Sequence, residues 1–158
     1  MESTNKPNIE VVIKPSVFND CLYVTDNLRE ADWREISANA DSVPESVKTS
    51  WIMTPKPLTV DVNGVPAAIC GVVPVTEGVG CIWLVGTDQI KFASRPFLRI
   101  SRELVARGTQ GYSLVFNYMD ERNTAHVRWV SWLGFTFIKR HERFGRSKIP
   151  FLEFVGIL

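Results

Sequence analysis

The spacing of hydrophobic residues changes several times along the chain, and each change marks an element. Ile9 to Ile13 is β-branched and predicts a first strand. Pro15-Ser16 then opens a helix whose apolar face repeats through Phe18, Cys21, Leu22, Thr25 and Leu28. Asp32-x-x-Glu35 has the form of a capping box and starts a second, short helix at Asp32. A third helix runs from about Pro44 to Ile52, with Pro44 in its first turn. Leu58 to Val62 and Val65 to Val73 flank Asn63-Gly64, which supplies the positive φ angles of a tight turn, so these strands pair antiparallel. Val79 to Val85 follows a turn near Glu77-Gly78 as the next strand. That hairpin sets Cys70 roughly opposite Cys81, where a redox pair competes with two buried free thiols.

The second half alternates helix and strand. Ser94 is a good N-cap, Pro96 sits in the first turn, and the helix runs to about Arg107 with Gly108 stopping it. Tyr112 to Tyr118 is an apolar strand. Asn123 caps a helix through Leu133 that ends at Gly134. Phe135 to Lys139 and Pro150 to Val155 are the last strands. A helix between two strands implies a crossover connection. The expected fold class is α/β, a twisted mixed sheet flanked by helices. Residues 1–8 read as a flexible polar N-terminus and residues 9–158 as a single domain.

Composition excludes classes without naming one. The chain has 158 residues, the size of one domain, and long enough to bury a sizeable core. Eighteen basic residues against seventeen acidic ones leave a net charge of +1, which argues against general nucleic-acid binding. The longest apolar stretch, Ala67 to Val75, is far short of a membrane span. The N-terminus lacks the basic-then-apolar layout of a signal peptide. Three cysteines without CxxC spacing suggest a reducing compartment. His141 has no clustered second His or Cys beside it, so no metal site is expected.

Asn117 to Phe137 reads NYMDERNTAHVRWVSWLGFTF: an apolar strand, a polar turn, Asn, a helix, then Gly-Phe opening a strand. This resembles the late part of the GNAT superfamily of N-acetyltransferases, with Asn123, Trp129, Gly134 and Phe135 at matching offsets. The resemblance implies a GNAT-like (acyl-CoA N-acyltransferase) fold. Four blocks, NLREADWREI, WLVGTDQI, FLRISRELV and the segment just quoted, also resemble the tailed-phage internal virion protein A-like family, from about Ile9 onward. That second resemblance implies a phage origin and a role in virion assembly or structure. Its implied setting is the host cytoplasm during infection or the virion itself, with a phage virion or host protein as partner and an oligomer as one assembly form.

The enzyme pattern is broken at two places. GNAT enzymes hold the pyrophosphate of acetyl-CoA on [QR]-x-x-G-x-[GA] at a helix N-terminus, where glycines let backbone N–H groups approach. Here nothing between Gly86 and Gly108 is glycine, and Pro96 removes a donor. The usual general-acid tyrosine, seven residues after the capping Asn, is Val130. Substitutes are available, each with a plain structural reading beside it. Arg95, Arg99 and Arg102 share a helix face that could hold phosphates or simply face water. Tyr118 could protonate a leaving thiolate or pack its ring. Asp88 could be a base or a loop cap. His126 could move a proton or be an exposed helix residue.

If the chain is an enzyme, the cofactor is acetyl-CoA. Leu84, Val85 and Gly86 would then hold the thioester carbonyl on a strand edge, and Asn123 would flank the cofactor. In a GNAT fold, Arg29, Glu30, Asp32, Trp33, Trp83 and Asn117 line the acceptor or partner side of the cleft. Arg29 with Asp32 and Glu30 with Arg34 have helical pairing distances. Lys139 to Lys148 is locally basic and is either a contact for an acidic partner or a solvated hairpin. Trp132 is either part of a wide apolar stripe or an exposed interface residue. Two function classes therefore remain: a scaffold for protein contacts in the virion, and an acyl-CoA-dependent N-acyltransferase with rearranged groups.

Overall fold

A computed structural model describes residues 8–158. The flexible segment expected at residues 1–8 lies outside them except for Asn8. The chain forms β1 (Val11–Pro15), α1 (Phe18–Asp26), α2 (Glu30–Ser37), α3 (Val43–Met53), β2 (Leu58–Val62), β3 (Val65–Thr76), β4 (Val79–Gly86), α4 (Gln89–Phe92), α5 (Ser94–Gly108), β5 (Leu114–Asp120), α6 (Thr124–Trp132), β6 (Thr136–Phe144) and β7 (Ile149–Ile157). One sheet carries all seven strands in the order β1-β2-β3-β4-β5-β7-β6. Every neighbouring pair is antiparallel except β4 and β5, which run parallel. This is the expected mixed sheet flanked by helices.

Alternation along the strands assigns the two faces. Ile69 and Val85 meet Cys21, Val24 and Val47 of α1 and α3 on one face. Their neighbours Ala68 and Cys70 meet Phe97 and Leu104 of α5 on the other. Val130 of α6 extends that second layer over Met119 and Phe154. A polar joint fixes β1 and α1 to the sheet: Lys14 bridges Asp20 and Asp61, and Thr59 donates to Asp20 at 2.9 Å.

The β2–β3 turn has Asn63 at φ +50° and Gly64 at φ +81°, as the dipeptide predicts. Three readings need correction. Cys70 pairs with Leu84 and Cys81 with Val73, so the two thiols sit three positions apart on opposite faces; all three cysteines are free. Burial pushes the Cys70 thiol up to about 12, which keeps it inert. Asp32 does not start α2, which begins at Glu30 with Arg29 at the N-cap. Ser94 caps nothing, because α4 runs into α5 through the buried residue Ala93.

Gly86 marks where this packing is tightest. A Cβ there would collide with Ile90 Cδ1 and lie 2.8 Å from the Ala67 carbonyl oxygen. Ile90 belongs to α4, so the helical turn after β4 is seated directly on the end of the strand. Backbone oxygen cannot yield as a side-chain tip does. Gly86→Ala is expected to lower stability by about 1–3 kcal/mol through overpacking, read as a reduced urea midpoint.

Candidate functional site

β4 and β5 pair over only Val79–Cys81 and Leu114–Phe116, then part. Between their separated ends lies a cavity of about 390 Å³. A second, of about 290 Å³, opens on the α5 and α6 side, and Leu84, His126 and Trp129 border both.

Parting the strands leaves the outer edge of β4 without a backbone partner. Against β3, alternate residues of β4 turn both peptide groups outward. Ile82 accepts at its carbonyl from Asn117 Nδ2 at 2.5 Å. Gly86 donates its N–H to Asp32 Oδ2 at 2.8 Å and accepts at its carbonyl from the Arg29 N–H at 2.9 Å. Leu28 bridges Thr87 just beyond. The chain from Leu28 to Asp32 therefore lies on the end of β4 where a further strand would. Leu84, between these two closures, turns its peptide groups into the gap.

Arg29 and Asp32 hold that segment in place. The guanidinium donates from Nε and Nη2 to the two carboxylate oxygens, both at 2.9 Å, and Asp32 is 4% exposed. A planar two-point pair of this kind fixes orientation as well as charge.

Glu35 and His126 reach the cavity from α2 and α6. Glu35 Oε2, Asn39 Oδ1 and His126 Nδ1 are sealed from solvent with no hydrogen-bond partner among the described residues. Burial, reinforced by the nearby Asp32 charge, pushes the Glu35 carboxyl up to about 8, against a weaker opposing effect of the Asn123 side chain. Burial also pushes His126 down to about 4, although the Asp32 charge acts the other way. At neutral pH the cavity therefore holds a protonated carboxylic acid and a neutral imidazole, a proton donor and a proton acceptor. The sequence spacing did not single out Glu35, which read as a capping partner, and His126 read as exposed. Nothing in a single helix reports that its polar side faces a gap between two strands.

Tyr118 lines the same cavity with its ring stacked on Phe144 at 4.8 Å and edge-on to His141. Burial first, and Glu153 second, raise its hydroxyl above the ordinary value, so it holds its proton more firmly. Trp83 and Asn117 also line the cavity; the Trp83 indole donates to Thr54 at 2.8 Å. Val85 borders it from β4, and Asn123 stands at the N-cap of α6 beside the smaller cavity. The tip of the β6–β7 hairpin abuts the α2–α3 loop. Ser147 donates to the Ala38 carbonyl at 3.1 Å and Arg146 pairs with Asp41. The basic stretch is thus a hairpin that is partly neutralised, with Arg140 held by Glu121 and Glu142.

Other expected residues lie elsewhere. Asp88 is exposed at the start of α4 and borders neither cavity, because α4 follows at once and directs it to solvent. Glu30 and Trp33 are exposed on the outer side of α2, with Trp33 48% accessible. Arg95 and Arg99 lie on the exposed face of α5 and border neither cavity. Arg29 and Asp32 form their expected pair; Glu30 and Arg34 form none.

The fold is that of the GNAT acyl-CoA N-acetyltransferases. A GNAT-family acetyltransferase from Bacillus anthracis superposes with a TM-score of 0.70 at 11% identity, covering 93% of this chain and 94% of that one. A GCN5-related N-acetyltransferase from Kribbella flavida gives 0.67 at 17% identity, with 94% and 98% covered. yncA of Salmonella typhimurium, solved with its cofactor acetyl-CoA, gives 0.66 at 15% identity, with 94% of each chain covered. No family model and no curated protein matches the sequence.

Two predictions follow from this geometry. Asp32→Ala leaves the half-buried Arg29 and the Gly86 N–H unpaired, and is expected to lower stability by about 3–5 kcal/mol in urea unfolding. The second concerns pH. Glu35 ordinarily ionises near 4.5 but holds its proton to about 8 when folded, so stability falls as pH rises across that range. His126 ordinarily gains its proton near 6.5 but only near 4 when folded, so stability falls as pH drops across that range. The two slopes oppose from 4.5 to 6.5, and Glu35 acts alone from 6.5 to 8. Glu35→Gln is expected to flatten the decline of the urea midpoint over that last interval. It should also raise stability at pH 8 by about 1–3 kcal/mol. A variant that declines as steeply as the parent would mean that Glu35 is ionised in the fold.

Proposed function

We propose that this chain uses the GNAT fold as a scaffold for protein contacts in the assembly or interior of a tailed-phage virion, with an acetyl-CoA site that no longer takes its usual ligand. The observation that carries this reading is Gly86, whose N–H and carbonyl are both engaged by the chain's own Asp32 and Arg29. An acyltransferase of this fold needs that strand edge for the thioester carbonyl and the following helix N-terminus for the pyrophosphate. Here α4 fills the loop position, Ala93 is the N-cap of α5 with Pro96 in its first turn, and Val130 stands at the usual acid position. The phage assignment draws on the four sequence blocks that resemble the internal virion protein A-like family. On that basis the protein acts in the infected cell's cytoplasm or within the virion, with a virion or host protein as partner.

A second reading, an active acetyl-CoA-dependent N-acetyltransferase with rearranged groups, is favoured by the open cleft and by Leu84 facing it. In that reading the neutral His126 imidazole is better suited than Asp88 to accept a proton from an amine, since it borders the cavity. Tyr118, which lines the same cavity, would be the proton donor. Acetyl-CoA, when bound, would supply the acyl group.

Calorimetric titration with acetyl-CoA and with CoA separates the two. The expected result is no heat and no thermal shift at millimolar nucleotide. Saturable binding at micromolar levels would overturn the scaffold reading, and Arg95→Ala and Arg99→Ala would then test the substitute phosphate site.

A further inference from the structure

The larger cavity is bordered by polar groups of two kinds. One kind is spent inside the fold. Asp32 serves Arg29 and the Gly86 N–H. Asn117 donates from Nδ2 to the Ile82 carbonyl and accepts at Oδ1 from the Tyr118 N–H at 2.7 Å. The Trp83 indole donates to Thr54. The other kind is free: Glu35 Oε2, Asn39 Oδ1 and His126 Nδ1 are sealed from solvent and have no partner among the described residues. Sealed polar atoms without partners are uncommon in folded proteins, and three on one cavity call for an occupant.

The walls restrict what that occupant can be. Tyr118 of β5, Phe144 of β6 and Phe151 of β7 stack in sequence with ring centres 4.8 Å apart at each step, and all three line the cavity. Trp83 and Phe154 extend this aromatic lining. The volume of about 390 Å³ suits a small organic molecule. No lysine or arginine among the described residues borders the cavity, so an anion would enter without a counter-charge. Asp32 is already neutralised by Arg29, so its carboxylate is not free for an ammonium group. Burial holds Glu35 protonated and His126 neutral at pH 7, in keeping with a site that carries no free charge.

We infer that the larger cavity binds an uncharged, ring-bearing molecule whose carboxamide-like end hydrogen-bonds to Glu35. A carboxamide carries both a donor and an acceptor, and so does a buried carboxylic acid. The ring replaces water against the aromatic wall. A charged end of the same shape would lose its hydration and meet no free opposite charge. This goes beyond both readings of function, because it rests on the cavity and not on the end of β4 or on acetyl-CoA.

The probes are benzamide, benzamidine and benzoate, which share one ring and are neutral, cationic and anionic at pH 7, together with acetamide, which lacks the ring. Each is titrated calorimetrically into the full chain. Benzamide is expected to bind saturably, and the other three at least about tenfold more weakly. Glu35→Leu is expected to lower benzamide affinity about tenfold by removing the group that pairs with the amide. Glu35→Gln, which still presents a donor and an acceptor, is expected to retain it. The inference is overturned by no saturable benzamide binding up to its solubility limit, or by equal binding of benzamidine, benzoate or acetamide. Unchanged affinity in Glu35→Leu, or an equal loss in Glu35→Gln, overturns it as well. Acetyl-CoA is titrated separately. Benzamide binding alongside acetyl-CoA binding upholds this inference and overturns the scaffold reading, whereas absence of both defeats this inference alone.

Discussion

Two parallel strands that part after three residue pairs leave peptide groups with no strand to bond, and buried peptide groups must bond to something. The arrangement around this cleft follows from how that demand is met on β4. Asn117 reaches across to Ile82 at the start of the opening. The Leu28–Asp32 segment closes the end at Gly86. The second closure sets the approach of α2, and so sets where Glu35 enters the cavity. It also draws Arg29 inward, where only a paired guanidinium is tolerable, and Asp32 supplies the pair. One carboxylate thus satisfies a peptide N–H, neutralises an arginine and biases the protons on Glu35 and His126.

The elements were largely legible because their signals are local. Asn63-Gly64 dictates its own turn, and alternating β-branched residues dictate β2, β3 and β4. What the sequence hid depends on contacts across the fold. Asp32-x-x-Glu35 has the spacing of a capping box, yet Asp32 is engaged by Gly86 far along the chain, so local spacing misread the helix start. The α4 turn was missed because Gly-Thr-Asp before Pro96 reads as loop, while the burial of Ile90 and Ala93 makes it helical. Ser94 lost its cap role for the same reason. Among the candidate site residues, Leu84, Trp83, Asn117, Tyr118, Arg29 and Asp32 border the cavities, because the strands and loops that carry them meet where β4 and β5 part. Asp88, Glu30, Arg95 and Arg99 do not, because resemblance specifies the element and not the side on which a residue emerges. Glu35 and His126 needed the opening itself to be seen.

The cleft is asymmetric in a way that bears on function. At the end of β4, α4 follows the strand at once, the Leu28–Asp32 segment lies on Gly86, and Pro96 stands in the first turn of α5. Ile90 seated against Gly86 links the first two. Freeing Gly86 would mean breaking its bonds to Asp32 and Arg29, and with them the buried Arg29–Asp32 pair. Beside it lies the larger cavity, walled by Tyr118 and Phe144.

That surviving cavity is costly to keep dry. Three sealed polar atoms without partners among the described residues would each cost about 1–3 kcal/mol in an empty void. Water with two or more polar neighbours removes most of that cost, and a polar cavity of this size admits it. Burial nevertheless keeps Glu35 protonated and His126 neutral, so charge is excluded even where water is accepted. The cavity therefore resists deep insertion of a cation and accepts neutral hydrogen-bonding groups more readily. α5 divides charge from apolar surface in the same way: Phe97 and Leu104 hold the sheet, and Arg95, Arg99 and Arg102 face solvent.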